Sequence, residues 1–281
     1  MKIATLTENT IPRGSMLEAR HGLGLYIETE TMRLLFDCGP DESFVRNADA
    51  LDIDISTVDA VVLSHAHYDH GGGLRAFFAM NDHAPIYLLE AAKNKYYSIS
   101  RSPVFRYIGL DSDLFEEYNE RFIFFSASID VSDSVHLFAV GEYNTFHPRF
   151  NSLLYKEKEG KMLPDDFTHE LVMAVTEHSI NTVFTGCAHS GILNMVHTVL
   201  EQIPAIPIHT LVGGFHLINT ATKTLGETPE TVWMLAKELD RLGISRVYTG
   251  HCTGEEGFRN LQAIFGARIE ALYTGKRFAT A

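Results

Sequence analysis

The sequence predicts an α/β fold, on three observations. Strand-like and helix-like segments alternate through the carboxy half. An apolar run at 61–63 opens into a glycine-marked turn and then a helix. Four apolar runs end in a histidine or reach one within a few residues, as strand ends at one rim of an open sheet do.

From the start, residues 2–8 alternate weakly like an edge strand, and 23–28 and 32–36 form a hairpin joined around 29–31. Asp37 follows the second run in LLFDCG. Read from the residues alone, it initiates the turn before Gly39 and Pro40. Phe44, Val45, Ala48 and Leu51 have helical spacing within 41–51. The segment 52–59 leads into the strand at 61–63, and a helix starts at Leu74 and runs to Met80. A strand at 85–89 follows, after which the pattern loosens. From 90 to 166 there are tyrosines, polar turns and short apolar runs at 122–125 and 135–140, read as further strands with an insertion near the mouth of the site. Order returns with strands at 171–176 and 182–185 about a turn at 177–181. After Gly191 a helix runs to about 202, followed by a strand at 208–212, a helix at about 229–242 and a strand at 246–249. With no repeat, low-complexity tract or linker, residues 1–281 read as a single domain carrying the 90–166 insertion.

A chain of 281 residues with 45% apolar and 21% charged residues can bury a large core and has an ordinary globular balance. There is no long apolar run, and residues 1–10 lack the pattern of a secretory leader, which places the chain in the cytoplasm and off the membrane. Cys38, Cys187 and Cys252 lie far apart with no CxxC pair, which argues against a disulfide framework or a zinc knuckle. The formal net charge of −13 repels a nucleic-acid backbone. It leaves room for a small anionic substrate held by a few local cations.

The chemistry concentrates at 61–73, VVLSHAHYDHGGG. In an extended loop, side chains two apart project to one side, so His65 and His67 can grip one ion while the turn aims Asp69 and His70 at a second. This HxHxDH pattern followed by glycines resembles the signature of the metallo-β-lactamase superfamily. The resemblance implies a four-layer αβ/βα sandwich, two mixed sheets face to face with helices outside. It also implies an amino-terminal hairpin whose closing aspartate, Asp37 here, lies beneath the metal loop, where its alternative role is to support a ligand residue.

The runs VVLSH, NTVFTGCAH, HTLVGGFH and SRVYTGH end at His65, His189, His216 and His251. Catalytic zinc takes imidazole, carboxylate and thiolate donors and keeps a position for water. His65, His67 and His189 are therefore assigned to one ion, and Asp69, His70 and His251 to the other, with Asp69 also the candidate to orient a nucleophilic water. The two divalent ions are expected to be zinc, with iron or manganese as alternatives. Cys187 stands where many superfamily members have a bridging aspartate, and it is either a thiolate ligand or an inert buried thiol; the second reading is preferred because His189 is so close. His169 competes with His189, and His216 with His251. His189 and His251 are preferred because each lies directly beyond an apolar run among small residues, whereas His169 sits among Asp166, Thr168 and Glu170. His216 then becomes a substrate-binding or supporting residue.

The segments GCAHSGILN, GGFHL, GHCTG and ARHGLGLYIE narrow the resemblance to the branch related to 7,8-dihydropterin-6-ylmethyl-4-(β-D-ribofuranosyl)aminobenzene-5′-phosphate synthase. Two enzymatic readings follow. One is a dinuclear metal-dependent hydrolase acting on a small phosphorylated substrate. The other is a transferase that condenses a dihydropterin methyl diphosphate with an aminobenzene ribofuranosyl phosphate. A metal-stabilised binding protein without catalysis is a third reading. The same resemblance places His21 near the metals. Finally, 93–107 carries Lys93, Lys95, Arg101 and Arg106 with no acidic residue, interleaved with Tyr96, Tyr97, Phe105 and Tyr107. Arg101 and Arg106 are candidates to bind substrate phosphate beside aromatic faces. A solvated loop or a homodimer contact is the competing use of this segment.

Overall fold

Strands that are apolar on both faces need a cover on both sides. In the computed structural model, which describes residues 1–100, 102–143 and 145–280, two seven-stranded sheets meet that need. The first runs, in spatial order, Arg277–Ala279, Lys2–Thr7, Gly24–Glu28, Arg33–Cys38, Ala60–Val62, Ile86–Leu89 and Phe122–Phe125. The second runs Ile269–Ala271, Arg246–Thr249, Ile208–Gly213, Ile180–Thr185, Leu171–Glu177, Val135–Ala139 and Ser128–Ser132.

The period of two along each strand divides the burial among three cores. Leu34 and Phe36 face the opposite sheet, whereas Leu35 packs with Phe44, Ala48 and Phe77 under the helices Ser43–Ala50 and Leu74–Met80. In the second sheet, Met173 and Val175 join Phe36 between the sheets, and the Phe36 and Phe184 rings approach to 5.9 Å. Val172 and Ala174 instead pack with Val196, Leu235 and Leu261 of the helices Ile192–Gln202, Pro229–Arg241 and Gly254–Phe265. The layers are therefore helix, sheet, sheet, helix, the four-layer αβ/βα sandwich that the resemblance implied. Local signals support the outer helices. Thr228 caps Pro229–Arg241 by accepting from the Thr231 N–H, Pro229 opens the first turn, and Arg241 lies in the last turn where a cation suits the dipole.

Parallel pairing matters most for the site. Arg33–Cys38, Ala60–Val62, Ile86–Leu89 and Phe122–Phe125 run parallel, as do Ile180–Thr185, Ile208–Gly213, Arg246–Thr249 and Ile269–Ala271. The segments that leave the carboxyl ends of these strands carry the candidate ligands, the usual arrangement in open α/β sheets.

Three features depart from the sequence expectation. Lys2–Thr7 is not an edge strand, because Arg277–Ala279 pairs alongside it. A one-turn helix, Tyr68–Gly71, forms inside the histidine motif before Leu74–Met80. The stretch 90–166 divides: Lys95–Ser98, Arg106–Tyr107, Leu154–Lys158 and Lys161–Pro164 build a separate four-stranded sheet, while Phe122–Phe125, Ser128–Ser132 and Val135–Ala139 join the large sheets. Among the described residues no helix is long and apolar enough to cross a membrane.

Candidate metal centre

Four turns at strand ends bring the donors together, and their backbone is unusual. Asp37, Ala188, His216 and His251 all adopt positive φ, between 47° and 57°. Non-glycine residues rarely do so, and such strain persists where the surrounding structure enforces it. At Gly186 a side chain is excluded, since a Cβ there would collide with Ser64 Oγ and crowd His65 Nδ1.

Four of the imidazoles, His65, His70, His189 and His251, are oriented by one rule: Nδ1 carries a hydrogen bond outward and Nε2 is left facing the cluster. The Ser64 hydroxyl donates to Asp37 Oδ2 at 2.7 Å and therefore accepts from His65 Nδ1–H at 2.8 Å. His70 Nδ1–H donates to the same Asp37 Oδ2 at 2.6 Å. His189 Nδ1–H donates to Asn151 Oδ1 at 3.1 Å, and His251 Nδ1–H to Asn9 Oδ1 at 3.0 Å. His189 and His251 are held alike. Each asparagine also donates to the carbonyl of its own histidine, and a buried carboxylate accepts the histidine's backbone N–H, Glu170 for His189 and Glu8 for His251.

Nε2 of His65 and His189, and with them Nε2 of His67, lies buried without a hydrogen-bond partner. A donor atom from each of these three residues falls within 4.8 Å of the others. A second group, His21, Asp69 and His251, meets the same limit, with His70 Nε2 3.3 Å from His251 Nε2. Burial disfavours charge on these rings. It is the main cause that lowers His67 to about 3 and puts His65, His189 and His251 well below the usual histidine value. On His70 burial is outweighed by the Asp37 carboxylate, which raises that ring to about 9. Burial would raise the Asp69 carboxyl as well, but His70, His21 and His251 around it hold it well below the carboxylate range. The Cys187 thiol is pushed up by burial.

This donor set fits divalent metal ions. Leaving one buried polar atom unpaired costs about 1–3 kcal/mol. Three lone pairs left so in one cluster are what a bound divalent cation would accept. Neutral Nε2 atoms, fixed in tautomer at His65 and His189 by their Nδ1 partners, are the form in which imidazole binds metal.

The remaining candidates take distinct places. His169 accepts the Ala66 N–H on Nδ1 at 3.0 Å and donates from Nε2 to Asp165 at 3.1 Å, so both nitrogens are engaged and it clamps the backbone between His65 and His67. His216 is buried with Nδ1 unpartnered and its ring 4.1 Å from that of His189. His21 is half-exposed with Nε2 3.4 Å from Asp69 Oδ2. Arg106 lines the cleft above the cluster, its guanidinium 5.6 Å from the Tyr68 ring. Arg101 lies outside the described residues. Within 93–107, Lys93 pairs with Glu90 over the Phe124 ring, and Tyr96 is fully buried against His169 at 4.0 Å, so neither offers a face to a ligand. Sequence reasoning missed Lys223, which lines the same cleft from a loop closed by Asn219 and Thr224. It also missed the supporting residues Glu8, Asn9, Ser64, Asn151, Asp165 and Glu170.

Comparison with known proteins agrees with this fold. The family model described as Metallo-beta-lactamase superfamily matches residues 19–130. The 7,8-dihydropterin-6-methyl-4-(beta-D-ribofuranosyl)-aminobenzene-5'-phosphate synthase of Methanocaldococcus jannaschii is 29% identical over 293 aligned residues, covering 98% of this chain and 95% of the relative. The solved structure of Tm1679, a metal-dependent hydrolase of the beta-lactamase superfamily, superimposes with a TM-score of 0.83 at 26% identity, covering 100% of this chain and 99% of that one. Zinc-bound PqqB from Methylobacterium extorquens shares the fold with a TM-score of 0.58 at 12% identity over the whole of both chains.

Proposed function

Because the chain carries a metallo-β-lactamase domain and is an enzyme of that superfamily, we propose that it is a two-ion, metal-dependent hydrolase of a small phosphorylated substrate. The observation that carries the reading is the unpartnered Nε2 cluster lying beside a second donor group around Asp69, at the floor of a cleft walled by Arg106 and Lys223.

His65, His67 and His189 hold one ion and Asp69, His70 and His251 the other, with zinc the expected metal and iron or manganese the alternatives. Ions so held supply Lewis acidity toward water and toward a phosphoryl or carbonyl oxygen. The chain's residues do the rest. Asp69 stays ionised among its histidines and accepts a hydrogen bond from the attacking water, which sets that water's direction. His21, beside the Asp69 carboxylate, restrains it. Arg106 and Lys223 neutralise substrate phosphate as it enters, and the free Nδ1 of His216 offers a hydrogen bond to the bound substrate.

A second reading is favoured by one observation, the full-length similarity to the Methanocaldococcus jannaschii synthase. In that transferase reading, the same residues would hold ions that bind the diphosphate of a dihydropterin methyl diphosphate, the amine of an aminobenzene ribofuranosyl phosphate would displace that diphosphate from the methyl carbon, and water would be kept out. Purified, metal-analysed protein assayed against phosphodiesters, lactones, thioesters and the dihydropterin diphosphate pair separates the two. Turnover of a single ester or lactone supports hydrolysis, and turnover of the pair alone overturns it in favour of the transferase.

A further inference from the structure

Cys187 occupies a junction. Its Sγ belongs to three donor groups, each with its ligand atoms within 4.8 Å of one another: with His65 and His70, with His189 and His216, and with His251 and Cys252. It therefore reaches donors of both ion positions at once, and it lies 3.3 Å from His70 Nε2. The neighbouring thiol is differently engaged. Cys252 Sγ–H donates to the Cys187 carbonyl at 3.4 Å while its sulfur accepts the His216 N–H at 3.3 Å, so Cys252 ties three turns together. A buried thiol makes only weak hydrogen bonds. Packing alone gives no reason to surround one with imidazole nitrogens, among which His65 Nε2 and His216 Nδ1 lack any partner.

We propose that Cys187 Sγ is a shared sulfur donor linking the two ion positions, with Cys252 as the residue that positions it. The inference rests on the two-ion reading above and adds a consequence for metal choice. A thiolate between imidazoles and a carboxylate favours zinc, cobalt, cadmium or ferrous iron and disfavours magnesium and calcium, which prefer oxygen ligands.

Cobalt(II) titration of the metal-free protein tests this by absorption spectroscopy, independently of activity. Wild type is expected to develop both visible ligand-field bands and a near-ultraviolet sulfur-to-cobalt charge-transfer band, neither of which magnesium or calcium competes away. Cys187→Ser should retain the ligand-field bands, lose the charge-transfer band and bind cobalt roughly tenfold or more weakly. Cys252→Ser should keep the charge-transfer band. X-ray absorption of the wild-type cobalt protein reads sulfur in the first shell without any variant. Ligand-field bands without a charge-transfer band in wild type overturn the role of Cys187 while leaving the two-ion reading intact. A charge-transfer band that survives in Cys187→Ser and vanishes in Cys252→Ser reassigns the sulfur and overturns the proposal. Absence of all cobalt bands overturns the proposal and the two-ion reading together.

Discussion

Asp37 Oδ2 accepts the Nδ1–H of His70 at 2.6 Å, and both side chains are fully buried. The same carboxylate takes the backbone N–H and the hydroxyl of Ser64. One aspartate thus fixes the tautomers of His70 directly and of His65 through Ser64. Asp37→Asn keeps the shape and removes the charge. The expected result is a loss of about 10–100-fold in affinity for the ion at the Asp69, His70 and His251 position, with a smaller effect at the other. Competition against a metal chelator measures it, and unchanged affinity at both positions contradicts the role.

His189 and His169 separate by what each nitrogen already does. His189→Ala should remove one ion. His169→Ala should keep both ions and lower stability by about 1–3 kcal/mol, because the buried Ala66 N–H and the Asp165 carboxylate lose their partner. Metal content with urea denaturation distinguishes the two outcomes, and the reverse pattern would exchange their roles.

The metal-free chain should have a stability maximum near neutrality. His65, His67, His189 and His251 titrate below their unfolded value of about 6.5. Below that pH the unfolded chain binds protons that the native rings refuse, so stability falls as pH drops from about 6.5 toward 3. His70 has the opposite sign. Raised to about 9, it adds stability that is complete below about 6.5 and is lost as pH rises through 9. Urea midpoints of metal-free protein at pH 5, 7 and 9 are expected to be highest at 7, and a midpoint rising steadily from pH 7 to 5 would refute this.

Arg106 and Lys223 face the same cleft from separate segments. Arg106→Ala and Lys223→Ala should each weaken binding of phosphorylated ligands by about 10–100-fold, the worth of a hydrogen bond to a charged group. Metal content should not change. Isothermal titration with inorganic phosphate and with a phosphate ester reads the effect, and full affinity in both variants would move the anion site elsewhere.

Much of the fold was legible in the sequence because it is local. Runs such as Phe122–Phe125 and Arg246–Thr249 carry their own strand signal, and His65 and His67, two apart in the motif, fall with His189 in one donor group. The carboxy-terminal strand Arg277–Ala279 was not, since its reason for existing is pairing with Lys2–Thr7 at the other end of the chain. Helix Gly254–Phe265 was hidden by a polar, glycine-bearing start, although Gly257, Leu261 and Phe265 form its buried stripe. The supporting residues share this limit. Glu8 bonds the backbone of His251 across 243 positions, and nothing in the residues around Glu8 announces that contact.

The central claim is two adjacent ions held by two distinct donor sets, and metal stoichiometry tests it most directly. Mass-spectrometric metal analysis of protein reconstituted with zinc and freed of excess is expected to give two ions per chain in wild type, and one each in His189→Ala and Asp69→Ala. One ion or none per wild-type chain, or two ions retained in both variants, would contradict the account.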